Sequence, residues 1–468
     1  MEHVREYFRR MMEGPIVRPF GLAGPILVLL IALPLLRPLR HPNETEISSD
    51  ESLRLASVKA LVEHRSLTLD KGFARVPGAV VLNGQVFSRQ PPMMAILLWP
   101  AAWTMTRLGF SFESNPLFIE YGLTLLGCAL PAALAAALIY RMGRMFELKR
   151  PWRTLLAFST VAGSGLLSYA VVLNAHVPAA TLVIASAACL VHVGSVERNQ
   201  WTSGWLALAG ASAALAATLD PPAVLFLILF LFVIPALRLS ALRRTAGVAI
   251  YILGAIPVLS IHSAWNAPIT GDMIPASVHA ALQNSGAPPT VWVHDELDED
   301  QPPGQPVWNA IGQHLLWLGG AAFGSHGLIS HFPVLIVAIF GVFAVMHRHW
   351  PGSTKILAGA TGVASLVIIE LYRIARFDWA SAMFASQWFV IFTPMLLFWS
   401  GAWLRRRHSA LKLSLAGLAM VFSVLVGIVG ATGPMPRRAF RGYTATDALS
   451  QWVYSPPGSN SALAGRKP

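Results

Sequence analysis

The chain has 468 residues, 54% of them hydrophobic and only 12% charged, with a mean hydropathy of +0.55 and a net charge of +12. Soluble domains carry roughly 25% charged residues, so this composition excludes an ordinary soluble enzyme and predicts an all-α polytopic membrane protein. The excess of Lys and Arg falls in short loops between apolar runs, a pattern that fits anionic lipid headgroups and excludes nucleic acid as a partner.

Apolar runs of roughly 17–25 residues, each long enough to cross a ~30 Å hydrocarbon core, recur from Phe20 to Gly430. They predict about eleven transmembrane helices (roughly 10–13). The runs lie near 20–39, 117–140, 154–172, 176–194, 204–219, 222–238, 245–263, 327–346, 356–372, 387–404 and 411–430. The first lacks the small-residue cleavage site of a signal peptide and reads as a membrane anchor. The stretch 91–109 opens on Pro91-Pro92 and contains Pro100, so it reads as an interfacial helix. Cys128 and Cys189 both lie within apolar runs, as packing residues.

Orientation follows from the basic residues. One set of loops holds Arg5, Arg9, Arg10 and Arg18, then Arg141, Arg144, Lys149, Arg150 and Arg153. The set continues with Arg198, with Arg238, Arg243 and Arg244, with Arg348 and Lys355, and with Arg405, Arg406 and Arg407. The alternate loop from Asn266 to Gly319 has neither Lys nor Arg. The expected organisation is a cytoplasmic segment 1–19, a multi-span domain 20–430 with external loops 40–116 and 264–326, and an external tail 431–468.

The first long loop contains "SSDESLRLASVKALVEH", in which Leu53, Leu55, Val58, Leu61 and Val62 approach helical spacing. This predicts an amphipathic helix capped by Ser48 or Ser49, with Asp50 and Glu51 favouring the dipole of its first turn. On that reading the two acids mark a helix start, and Arg54 and Lys59 form its wet face.

The order of elements in this loop gives the acids a second reading. "DESLRLASVKALVEHRSLTLD" followed by "LNGQVFSRQPPMMAILLWPAAW" resembles the first external loop of the GT-C superfamily of membrane glycosyltransferases. That superfamily includes the protein O-mannosyltransferases and the bacterial transferase that adds aminoarabinose to lipid A. Shared are an Asp-Glu after the first span (Asp50-Glu51), an amphipathic helix, a short extended stretch (Val80 to Phe87) and a Pro-Pro opening an interfacial helix. "LNAHVPAATL", with Asn174 and His176 at the outer mouth of a span, is similar to an Asn-x-His of relatives. "FGSHGLISHFP", with His326 and His331, and "ARFDWASAMFASQWF", with Arg376, are fainter likenesses. The chain departs from the pattern before Pro-Pro, where relatives often carry Lys: here Gln90 follows Arg89.

The resemblance implies a polyprenyl-phosphate sugar donor, a glycan, lipid or protein acceptor, and inverting transfer on the external side of the plasma (bacterial inner) membrane. Asp50 is then the candidate base. Glu51 is a candidate to orient Asp50, bind acceptor hydroxyls or help hold a divalent cation, although no cofactor is established by the sequence. Arg89, Arg54, His176 and Arg376 are candidates for the donor phosphate, and Asn174 and His326 for lining the cavity. Plainer readings stand beside these: Asn174 and His176 as a capping or interhelical pair, Asp220 as the cap of a helix opened by Pro221, Glu370 near an outer helix end, and "HDELDED" at 294–300 as a solvated acidic loop. Two rival functions also remain, a transporter or flippase for a lipid-linked substrate and a degenerate, non-catalytic GT-C-like protein. The near absence of charge at mid-span favours chemistry at one surface over a conduit.

Overall fold

A computed structural model of the protein describes residues 19–37, 49–76, 78–82, 84–195, 201–237, 239–271, 307–324, 327–374, 387–406 and 408–434. His326, Arg376, the acidic run 294–300, most of the second external loop and the tail beyond residue 434 lie outside them.

The apolar runs fold as helices because in hydrocarbon every backbone N–H and C=O must be satisfied within the segment. They are α1 (Pro19–Leu35), α4 (Pro116–Phe146), α5 (Arg150–Ala162), α6 (His176–Ser195), α7 (Thr202–Leu219), α8 (Val224–Leu231) and α9 (Ala241–Thr270). After these come α10 (Val307–Phe323), α11 (Val334–Met346), α12 (Gly352–Ile374), the short α13 (Thr393–Phe398) and α14 (Ser400–Leu404), and α15 (Ala410–Thr432). Between α1 and α4 lie α2 (Ser49–His64), the hairpin β1 (Ala79–Leu82) and β2 (Gln85–Ser88), and α3 (Met93–Arg107). A helix thus forms where Pro91-Pro92 predicts one.

Six helices among the described residues are long and apolar enough to cross a membrane, or seven if Trp317–His331 and Val334–Met346 count as one bent span. In two of the eleven apolar runs the residue type itself limits the helix. The run at 154–172 stops at Gly163 and turns through Gly165, whose φ of 81° belongs to the left-handed region that glycine alone enters freely. The run at 222–238 holds a helix of 8 residues, α8, between 3₁₀ turns at Pro221–Ala223 and Ile234–Ala236, each placing a proline where an N–H is not needed. Both stretches are apolar throughout, and Gly and Pro set where their helices begin and end.

Basic loops that sequence puts on one side do meet. Arg405 Nη2 donates to Glu147 Oε2 at 2.7 Å, and its guanidinium lies 5.0 Å from the Trp350 ring centre. A cavity of about 370 Å³ there is lined by Met145, Ser195, Trp350, Ser353 and Arg405. Four loops therefore converge at one end of the bundle, and α2 and the hairpin sit at the other, beyond the opposite end of α6.

Close approach of small residues holds the helices together, as expected where lipid removes the hydrophobic drive for association. On α7 and α9, a Cβ added at Gly210 would fall within 3.0 Å of the Tyr251 carbonyl, and one at Gly254 within 3.0 Å of the Ala207 carbonyl. Each helix thus lays its glycine on its partner's backbone. Gly210→Val or Gly254→Val is expected to cost about 1–3 kcal/mol or more through overpacking. Melting in detergent should fall well below that of Leu418→Ala, which trims a side chain 67% exposed on α15.

Candidate active site

Asp50 and Glu51 both lie in the first turn of α2. Neighbours on a helix point roughly 100° apart, so the two carboxylates meet different surroundings. Glu51 turns into the bundle and is 1% exposed. Its Oε1 accepts the Leu173 backbone N–H at 3.1 Å, and its Oε2 lies 3.2 Å from Arg37 Nε. Arg37, just past α1, also donates through Nη2 to Glu120 Oε1 on α4. The Arg37 backbone N–H donates to the Val171 carbonyl at 3.1 Å. One buried guanidinium between two carboxylates thereby ties α1, α2, α4 and the segment before α6 into one block.

Asp50 shares a face of α2 with Arg54, one turn on. Between them stands Gln90. Its Nε2 donates to Asp50 Oδ1 at 2.7 Å, and Arg54 Nη2 donates to its Oε1 at 2.8 Å. Gln90 is fixed from behind, since its backbone N–H donates to Ser88 Oγ at 3.1 Å and that of Arg89 donates to the Gly78 carbonyl at 2.9 Å. The hairpin, closed through Gly84 (φ 75°), is docked by the Leu69 N–H on the Val86 carbonyl at 2.7 Å.

Arg54 is 6% exposed, which corrects its assignment to a wet helix face. Its Nε and Nη1 have no hydrogen-bond partner among the described residues. Burial pulls its pKa below the ordinary arginine value, while the carboxylates of Asp50, Asp220 and Glu51 pull the other way. Arg89 is also buried, and burial lowers its pKa too. Lys59 pairs with Glu63 at 3.8 Å, partly exposed on the same helix.

At the start of α6, Asn174 is consumed by structure. Its Oδ1 accepts the Val177 N–H at 3.0 Å as a helix cap, and its Nδ2 donates to the Tyr169 and Val172 carbonyls at 2.7 and 2.8 Å. Cys128 of α4 packs against the same residue, 3.4 Å from its backbone N. His176 does not pair with Asn174: its Nδ1 lies 2.7 Å from Asp220 Oδ2. Asp220, at the end of α7, makes no side-chain cap to the following turn, which corrects its reading as the cap of a helix opened by Pro221. His331 is buried and donates from Nδ1 to the Gly327 carbonyl at 2.8 Å. Glu370 is held by Arg373 Nε at 2.7 Å.

Asp50, Arg54, Gln90 and, through its field on Arg54, Asp220 with His176 are thus brought together. Gln90, Asp220, Arg37 and Glu120 complete the arrangement. The sequence signal for the last two is a pair of opposite charges inside separate apolar runs. Among the described residues no group of three or more His, Cys, Asp or Glu side chains converges as a metal site needs.

This helical bundle, with its first loop folded over one end, shares its fold with solved archaeal oligosaccharyltransferase structures. The oligosaccharyltransferase AglB of Archaeoglobus fulgidus, solved with an inhibitory peptide and a dolichol-phosphate, superposes with a TM-score of 0.50 at 12% identity over 91% of this chain. The same archaeal enzyme in complex with Zn and sulfate gives 0.52 at 12% identity over 89% of this chain. ArnT of Cupriavidus metallidurans bound to undecaprenyl phosphate gives 0.48 at 12% identity, covering 92% of this chain and 76% of ArnT. The chain spans only 57% and 54% of the two AglB chains. No protein-family model and no curated protein sequence matches it.

Removing one member of a buried ion pair strands the others, at a typical cost of about 3–5 kcal/mol. Arg37→Met is therefore expected to lower the melting temperature sharply and to release α2, read as new protease cleavage within residues 49–76. Glu120→Gln, which keeps the shape, is expected to do less.

Proposed function

We propose that the chain is an inverting membrane glycosyltransferase. It moves a sugar from a polyprenyl-phosphate donor to a hydroxyl of a glycan, lipid or protein acceptor on the external face of the plasma membrane. The observation that carries this reading is a carboxylate and a buried guanidinium held on one face of α2, the guanidinium with two donors unsatisfied. Buried donors without partners cost free energy, and a phosphate oxygen supplies what they lack. The GT-C fold and the placement of α2 at the end away from the basic loops support the same reading.

In the reaction, Asp50 takes the proton of the acceptor hydroxyl, whose oxygen attacks the anomeric carbon from the face opposite the lipid phosphate. The new oxygen–carbon bond forms as the bond from anomeric carbon to phosphate oxygen breaks, and that electron pair leaves on the lipid phosphate. Asp50 suits the base role because its Oδ1 is fixed by Gln90 while Oδ2 has no hydrogen bond among the described residues. Arg54 meets the charge that develops on the leaving phosphate, in a site where water does not screen it. Arg89, His176 and Arg376 are proposed to serve the same phosphate. Glu51 serves as the anchor that aims Asp50, not as a second reacting group.

The test is transfer from polyprenyl-phosphate sugars by the protein in membranes. Asp50→Asn is expected to lower kcat by roughly 10²–10⁴-fold, the worth of a positioned base. Arg54→Ala should lower it by about 10²–10³-fold, the worth of one electrostatic stabiliser. Asp50→Asn should melt near the native temperature. Normal transfer by Asp50→Asn ends the base assignment. A native chain that transfers nothing but carries lipid-linked sugar across vesicles is a transporter.

A further inference from the structure

Gln90 has a chemical peculiarity that its neighbours dictate. An arginine guanidinium only donates, and an ionised carboxylate only accepts. The amide between them has one orientation that satisfies both, with oxygen toward Arg54 and nitrogen toward Asp50, and this is the orientation seen, at 2.8 and 2.7 Å. An ammonium at position 90 would offer donors alone and set a second cation against a buried guanidinium. A carboxylate there would offer acceptors alone and face Asp50. A leucine would fill the volume and leave both partners bare.

We infer that Gln90 is the positioning residue of the proposed transfer site, an uncharged link that holds Asp50 and Arg54 in register while keeping them from closing into a direct ion pair. This rests on the glycosyl-transfer reading above. Direct pairing would occupy the carboxylate that must take the acceptor proton and the guanidinium that must meet the phosphate. The amide holds both in place and leaves each with unused capacity: Oδ2 of Asp50, and Nε and Nη1 of Arg54. Positions 54 and 90, a cation and an amide, thus function as a complementary set.

The test is an exchange. Gln90→Lys and Arg54→Gln are each expected to lower kcat/KM by about 100-fold, the scale of misplacing a reacting group by an ångström. The double variant returns a cation and an amide to the pair with their places swapped, but its ammonium pairs directly with Asp50, so kcat/KM should stay at least about 10-fold below native even where folding is restored. Melting temperature should be lowered by Gln90→Lys and restored in the double variant. Gln90→Leu should lose kcat while the acceptor KM stays within about twofold, a split that a purely structural role does not give. The inference is overturned if Gln90→Lys matches or exceeds the native rate, if the double variant, with its ammonium against Asp50, regains the native rate, or if Gln90→Leu changes only the melting temperature. If the native chain transfers no sugar, the functional reading fails, and the melting temperatures alone decide the exchange: restoration supports the complementary set, additive loss refutes it.

Discussion

A single guanidinium in a dry environment underlies the geometry of this molecule. Arg37 emerges from α1 between Glu51 and Glu120, and none of the three has bulk water to turn to. Ions so placed must find each other, because the cost of leaving one unpaired exceeds what most single contacts supply. The consequence is spatial: α2 cannot slide or roll without separating Glu51 from Arg37 and from the Leu173 N–H. Everything at the candidate site, from the direction of Asp50 to the depth of Arg54, is inherited from that clamp.

The two adjacent acids therefore divide the labour of one helix turn. The inner one holds the helix to the bundle, and the outer one is presented toward Gln90. A helix-start reading of Asp50-Glu51 and a catalytic reading are not alternatives here. The same first turn accommodates negative charge through its exposed N–H groups, and that tolerance lets one acid be buried and the other be positioned. On the far side, α6 begins at a fully satisfied Asn174 cap and α7 ends at Asp220, so His176 and Asp220 meet where two antiparallel helices start and stop.

Much of the fold was legible in the sequence because length and hydropathy constrain a membrane chain strongly. The first loop was legible in outline as well: the helix after Asp50-Glu51, the extended stretch before Arg89 and the helix after Pro91-Pro92 all formed where residue type required. What sequence did not convey was pairing. Asp220 lies 44 residues from His176, and Gln90 lies 40 and 36 residues from Asp50 and Arg54, and no local pattern encodes such contacts. Arg54 illustrates the limit. Helical spacing puts it on the polar side of a short amphipathic helix, yet the hairpin folds over that side and buries it. Hydropathy likewise does not register Gly165 or Pro221-Pro222, which bound helices within apolar runs.

The hairpin places a further condition on the chain's history. Strand β2 is pinned through Val86 and Arg89, so the backbone at position 90 has no slack with which to absorb a side chain of different length or charge. Any lineage drifting from glutamine to a basic residue there must first pass through a form in which residue 54 no longer suits its neighbour. Mutational paths between the two arrangements are thus narrow, and divergence is expected to proceed by paired steps rather than single ones.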